Sequence, residues 1–529
     1  MKFIKSTGLV LFLIGLAVFT ALIFTGDYKV SSETFNTFVE EQGIKSEQYI
    51  QYVKENVIEK EFDSQFQLSH QLIEQLENAN AIHKENEEWD KVIWNKPHNI
   101  SYDLIKQSAS GVVYENQGLF WWLTFGLGII GALLFILPNV ILLGGPGIKN
   151  DRIYHSAATN RGWIGIITFI YLVSFYILLY FRPDYVVDMT FVVNPISLAL
   201  NGNPASQWFL YGFMYTVVMV VMGIRMYIKY RHSRYHIIRT SSVLFFQISF
   251  AFMIPEIMVR FNKPHYDFKN AFPLDYSFFF DWNLDNLASS GYIGLFILVW
   301  GVLLSLVIVP VLSYFYGKRW YCSWVCGCGG LAETLGDPYR HLSNKKVYAW
   351  KIERWLIHGV LVLILLLTVY SLYYYFTGVD TLLGIKTKDF EYYYGFLIGS
   401  IFAGVVGTGF YPILGNRVWC RFGCPLAAYM GLVQRFKSRF RITTNGGQCI
   451  SCGNCSVYCE QGIDVRAYAQ KGENIVRASC VGCGICSSVC PRGVLKLENG
   501  PEEGRINPTD VPLGNDIDLM KMMNERKAK

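Results

Sequence analysis

Eight apolar runs punctuate the chain: Leu9 to Phe24, Leu119 to Leu143, Trp163 to Phe181, Trp208 to Met226, Val243 to Val259, Ile293 to Tyr316, Trp355 to Phe376 and Phe396 to Leu414. Each comes near the ~20 residues with which an α-helix crosses ~30 Å of hydrocarbon, so the pattern predicts eight transmembrane helices. A different pattern fills the gap between the first two runs. In residues 27–118, Phe35, Phe38 and Val39, then Ile50, Val53 and Val57, then Leu72, Ile73 and Leu76 recur at helical spacing. That periodicity predicts water-facing helices with one apolar side.

Charge orients the runs. Lys2 and Lys5 precede the first; Lys149, Arg152 and Arg161 follow the second; Arg225, Lys229, Arg231, Arg234 and Arg239 follow the fourth; Lys318, Arg319, Arg340, Lys345, Lys346, Lys351 and Arg354 follow the sixth. Positive loops mark the cytoplasmic side, which puts both termini there and residues 27–118 outside. That outer segment carries 17 Asp and Glu against 8 Lys, a net charge of −9. Its acidity either guides a basic partner such as a periplasmic cytochrome or belongs to a solvated helical cap. The first run is long and ends at Thr25-Gly26-Asp27 without a small-x-small cleavage site, so a retained anchor is expected over a removed signal peptide.

Composition agrees with a membrane chain. Of 529 residues, 52% are hydrophobic and 17% charged, which excludes an ordinary soluble enzyme of this size. The net charge of +6 is accounted for by the basic loops, and nucleic-acid binding has no footing.

The chemistry is concentrated in the cysteines. All thirteen lie between Cys322 and Cys490, and eight repeat one spacing: Cys449, Cys452, Cys455 and Cys459, then Cys480, Cys483, Cys486 and Cys490 followed by Pro491. In bacterial two-cluster ferredoxins, C-x2-C-x2-C binds three corners of a 4Fe-4S cubane and the fourth cysteine serves the other cluster. The expected sets are Cys449, Cys452, Cys455 and Cys490 for one cluster, and Cys480, Cys483, Cys486 and Cys459 for the second. Zinc favours pairs of C-x2-C, and disulfides favour small secreted chains, so neither fits as well. Glu460 stands where the first run would usually carry proline, a departure expected to affect loop geometry.

Two further pairs sit where runs six and eight end: Cys322 and Cys326 in Arg319-Trp320-Tyr321-Cys322-Ser323-Trp324-Val325-Cys326-Gly327-Cys328, and Cys420 and Cys424 in Arg417-Val418-Trp419-Cys420-Arg421-Phe422-Gly423-Cys424-Pro425. They read as two versions of one unit. An i, i+4 pair places two thiols on one face of a helical turn. Three readings stand: a further cluster or thiophilic metal held by these four cysteines, with Cys328 as a spare ligand; a redox-active dithiol; or small buried hydrophobes.

The C-x3-C pairs, the Trp419-to-Leu426 run and the following double ferredoxin motif resemble the NosR/NapH-type membrane polyferredoxins, to which the oxidase-assembly protein CcoG is related. The resemblance covers roughly residues 290–500. It implies electron transfer at a bacterial inner membrane, in a respiratory assembly that links quinol or a cytoplasmic donor to a partner redox protein, and an electron-transfer subunit more than a stand-alone enzyme. CcoG likeness implies a second class, a maturation factor that reduces metal or thiols, although the immunoglobulin-like extension of CcoG is missing. A redox sensor is a third. Gly327 replaces the usual proline after the first pair, which weakens the transfer there. The outer segment lacks the Ser-Gly-Ala-Thr stretch that carries covalent flavin in NosR, so FMN is not expected.

No C-x-x-C-H occurs, so no c-type haem is expected. His358 alone lies clearly within a run and reads as a packed or hydrogen-bonded residue. His155, His232, His236 and His341 fall in loops. Glu256, after Pro255, is expected to pair with Arg260 one turn on. Every recognisable redox group thus lies at the cytoplasmic edge, and nothing in the sequence wires charge across the membrane. The expected architecture is an α-helical membrane protein: an anchor (1–26), an outer helical segment (27–118), a seven-helix membrane domain (119–439), a 2[4Fe-4S] α+β ferredoxin domain (440–500) and a polar tail (501–529).

Overall fold

The computed structural model describes residues 1–94, 96–142, 162–445 and 448–500. The basic loop after the second run, including His155, and the tail 501–529 lie outside the described residues. Eight helices are long and apolar enough to cross a membrane: Lys2–Phe24, Gln117–Leu142, Trp163–Phe181, Gln207–Lys229, Arg234–Arg260, Gly291–Tyr316, Val347–Thr377 and Thr387–Gly409. The eighth starts and stops earlier than its apolar run. Its polar first turn continues into the membrane helix, and a break before Tyr411–Leu414, with Pro412 near its start, ends it.

Most span residues face outward as apolar side chains, as lipid requires. Small residues let backbones approach where helices meet. A Cβ on Gly131 would collide with the Phe12 amide nitrogen, and one on Gly15 would lie 2.8 Å from the Thr124 carbonyl oxygen. This is close glycine packing between the first two spans.

Residues 27–118 fold as helices Ser32–Gln42, Glu47–Asn56, Gln65–Glu85 and Pro97–Gln107. Ser31, Ser46 and Ser64 cap the first three, each accepting a backbone N–H. Phe35, Phe38, Val53, Val57, Leu68 and Leu72 form their buried core. The segment sits on the connection between the third and fourth spans. Gln65 donates to the Ile23 and Tyr185 carbonyls at 2.8 and 2.9 Å, and Tyr28 donates to Asp188 at 2.7 Å. Burial, opposed by the Tyr28 hydrogen bond, pushes the Asp188 carboxyl up to about 7.

At the other end of the bundle, strand Phe440–Thr444 pairs antiparallel with Leu495–Asn499, Phe440 opposite Asn499. The ferredoxin-type cysteines lie between these strands in sequence. This two-stranded ribbon and short helices make the α+β region that carries them.

Candidate metal centre

Each ferredoxin run turns on a left-handed glycine. Gly453 (φ 78°) precedes helix Asn454–Val457 and Gly484 (φ 75°) precedes Ile485–Ser488, so Cys452-Gly-Asn-Cys455 and Cys483-Gly-Ile-Cys486 adopt matching reversals. The thiols gather across the runs. Burial pushes Cys455 up to about 12, with Cys490, Cys452 and Cys449 adding to it. Cys486 is driven up by burial and then by Cys483, Cys480 and Cys459. Thiols of the two runs act on one another: Cys490 of the second run raises Cys455 of the first, and Cys459 and Cys455 of the first raise Cys486 of the second. All thirteen cysteines are free. Among the described residues no three His, Cys, Asp or Glu side chains close in as around one ion. The donor sets fit two 4Fe-4S clusters, which supply one-electron exchange when bound.

The two C-x3-C segments are built alike. Gly317 (φ 63°) and Gly415 (φ 95°) end the preceding helices, and short helices Arg319–Ser323 and Val418–Phe422 carry Cys322 and Cys420. Each helix then breaks. The Cys326 amide donates to the Tyr321 carbonyl at 2.8 Å and the Cys424 amide to the Trp419 carbonyl at 3.0 Å. Cys326 and Cys424 become the N-caps of Gly327–Thr334 and Pro425–Phe436. The expectation of one continuous helical turn is therefore corrected: the second cysteine of each pair stands at the N-cap of a new helix, the Cys424 thiol accepting from the Ala427 N–H at 3.4 Å, and Pro425 at its first position can donate no hydrogen bond to prolong the old one. All four thiols are buried together. Burial pushes Cys322 up, as do Cys420 and Cys326, while Lys318 and Arg417 oppose it. Cys424 is raised by burial and then by Cys420, Cys322 and Cys326. These four soft donors are of the type that a thiophilic metal group would take. Cys328 lies beside Cys326 but is exposed, facing internal cavities.

Between the two thiol regions runs a buried ionic bridge that the sequence reading missed. Arg417 reaches Cys420 Sγ at 3.8 Å, Glu333, and Glu460 at 3.0 Å. Glu460 pairs with Arg340 at 2.7 Å, and Arg340 reaches Cys483 Sγ at 3.8 Å. Arg239 donates to the Cys483 carbonyl at 2.5 Å and pairs with Glu333 at 2.9 Å. Burial pushes the Glu460 carboxyl up, but Arg340, Arg417 and Arg239 outweigh it and hold it down at about 2. The residue in the usual proline position is thus a fully buried charge hub as well as part of the loop. Its identity was the available signal: a carboxylate in a cluster motif needs a cation. Ser323 Oγ to the Val481 carbonyl, 2.9 Å, and Gln434 to the Cys480 carbonyl, 2.9 Å, complete the joint.

Two expectations about single side chains resolve differently. His358 hydrogen-bonds the Arg354 carbonyl of its own helix at 2.6 Å. Glu256 does not pair with Arg260. It accepts from Asn201 at 2.6 Å and stands 3.8 Å from His265, while Arg260 donates to the Ala199 carbonyl. The connection 182–206 folds back against the fifth span and separates the two.

A 4Fe-4S binding domain family matches twice, over residues 298–347 and 394–443, and a 4Fe-4S dicluster domain family matches residues 420–495. The double match coincides with the two C-x3-C units. The chain is a helical membrane protein with 4Fe-4S ferredoxin-type domains. It is 28% identical over 185 residues to a putative electron transport protein, YccM of Escherichia coli, covering 31% of this chain and 46% of YccM. It is 29% identical over 164 residues to the methylamine utilization ferredoxin-type protein MauN of Methylobacillus flagellatus, covering 30% of this chain and 54% of MauN. The chain spans about half the length of the curated relatives it matches. No solved structure matches it.

Proposed function

We propose that this protein moves electrons one at a time at a bacterial inner membrane, between the two ferredoxin clusters and a third centre held by Cys322, Cys326, Cys420 and Cys424. The ionic bridge from Cys420 through Arg417, Glu460 and Arg340 to Cys483 carries the reading, because it fixes the ferredoxin region against the C-x3-C site in a low-dielectric joint. The crossed ligand sets and a cytoplasmic ferredoxin region belong to this reading, as do residues 27–118 on the outer face and the NosR/NapH likeness. Quinol or a cytoplasmic protein is the donor and a partner redox protein the acceptor. Electron transport and ferredoxin in the names of YccM and MauN support the class of activity.

The test is anaerobic mixing of the oxidised, iron-replete full-length protein with a short-chain quinol. Bleaching of the cluster absorption is expected. Clusters that stay oxidised with quinol yet accept electrons from a reduced soluble ferredoxin would assign the donor role to a cytoplasmic protein.

A further inference from the structure

A cavity of about 260 Å³ opens between the first turns of Val347–Thr377, helix Pro425–Phe436 and the segment that leads into Cys480. Trp350, Glu353, Arg354, Ile357 and His358 recur at helical spacing, so one face of the membrane helix forms a wall of it. Cys420 also lines the space, and an occupant there stands beside the C-x3-C thiols.

The lining is strongly basic. Lys318, Arg354, Arg421, Arg435 and Arg477 share it with a single carboxylate, Glu353. That carboxylate is already engaged, accepting from Arg421 at 2.7 Å and from Ser479. Arg354, Arg435 and Arg477 have no carboxylate partner among the described residues. Arg354 and Arg477 instead lie over the same Trp350 indole, 5.3 and 4.6 Å from its centroid. Two guanidiniums on one ring repel, and an anion between them turns that repulsion into attraction.

Lys318 is a second and independent sign. It is only 2% exposed, and its backbone N–H donates to Gln434 at 2.7 Å. Its ammonium has no hydrogen-bond or ion-pair partner among the described residues. Its charge acts on Cys322 and Cys480 through space, without a hydrogen bond to either. Positive residues at this end serve topology, but that role asks only for charge near water and does not bury an unpaired ammonium. A buried cation with open donors favours a ligand that brings anionic oxygens.

The surroundings indicate the ligand class. Trp355 and Leu356 beside Arg354, and Phe436 beside Arg435, are exposed apolar side chains. On a membrane helix such faces meet acyl chains, and a basic pocket next to them at the end of the bundle meets headgroups. Arg and Lys hold phosphate oxygens through charge-assisted hydrogen bonds.

The geometry points to this cavity as a binding site for the phosphate of an anionic phospholipid such as phosphatidylglycerol. Arg354, Arg435 and Arg477 hold the phosphodiester, Lys318 donates to it from the buried side, and the acyl chains run along Trp355 and Leu356. The site requires a membrane-embedded chain and is independent of the electron-transfer reading.

The experiment strips lipid from full-length, iron-replete protein in neutral detergent, adds back phosphatidylglycerol or phosphatidylcholine, and follows bound lipid by native mass spectrometry. The first phosphatidylglycerol should bind at least about tenfold more tightly, because the choline cation of the other lipid meets a site already rich in positive charge. Arg435→Gln/Arg477→Gln should abolish this preference, as should Lys318→Met, with cluster absorption retained. Lys351→Gln/Lys437→Gln removes equal charge from the same end outside the cavity and should keep it. Equal binding of the two lipids by the wild type overturns the proposal, and so does a preference that survives in Arg435→Gln/Arg477→Gln or is lost equally in Lys351→Gln/Lys437→Gln. Inorganic phosphate that displaces the first phosphatidylglycerol at equal concentration assigns the cavity to free phosphate and overturns the lipid assignment.

Discussion

Glu460 shows how a single residue can be legible as an anomaly and opaque in role. Its place in the cysteine run marked it, but the partners Arg340 and Arg417 come from segments 120 and 43 residues away, a placement that only folding decides. Glu460→Gln leaves two buried guanidiniums short of a counter-charge. Loss of one partner of a buried ion pair costs ~3–5 kcal/mol, so a lowered thermal midpoint is expected in detergent. Removing a negative charge beside Cys483 also favours the reduced cluster. An anaerobic redox titration should therefore give a higher reduction potential for the cluster of Cys480, Cys483 and Cys486, and an unchanged potential would deny the bridge an electrostatic role. The two 4Fe-4S clusters were far easier to read, because a spacing rule carries them. Cys490→Ser is expected to perturb the cluster of Cys449, Cys452 and Cys455, as followed by electron paramagnetic resonance, despite lying in the other run.

Among elements, apolar length and helical period gave the spans and the helices of residues 27–118 well, since burial against lipid or against one shared core follows directly from those patterns. What the periodicity could not reveal is how residues 27–118 dock. That contact rests on polar residues in connections, notably Asp188 beneath Tyr28. Nor could an i, i+4 spacing disclose that each C-x3-C pair straddles a helix break, because the break arises from hydrogen bonds to Tyr321 and Trp419. The docking carries a pH signature. The folded Asp188 carboxyl is raised from its ordinary 3.8 to about 7, so the docked state binds the extra proton. Its contribution is fully present below pH 4, declines as pH rises toward 7 and is lost above it, a span worth on the order of 4 kcal/mol. Protease resistance of residues 27–118 should accordingly fall between pH 5 and 8 in the full-length protein, and Asp188→Asn should flatten the profile. A resistance that rises with pH would reverse the assigned sign.

For the whole molecule, the sequence exposed no route across the membrane, because each candidate redox group sits at one edge. The cavities that Cys328 faces are made by side chains from several spans and their connections, and no local pattern encodes such a space. The internal repeat motivates a meeting of the two distant cysteine pairs, and all four of these cysteines are buried. The account turns on that meeting being a metal centre coupled to the ferredoxin region. Its most direct test is iron and acid-labile sulfide analysis with electron paramagnetic resonance on anaerobically prepared, full-length wild type and Cys420→Ser. The expected result is a loss of iron, sulfide and one paramagnetic signal in the variant while both ferredoxin-cluster signals persist. Equal iron and superimposable spectra in the two proteins would contradict it.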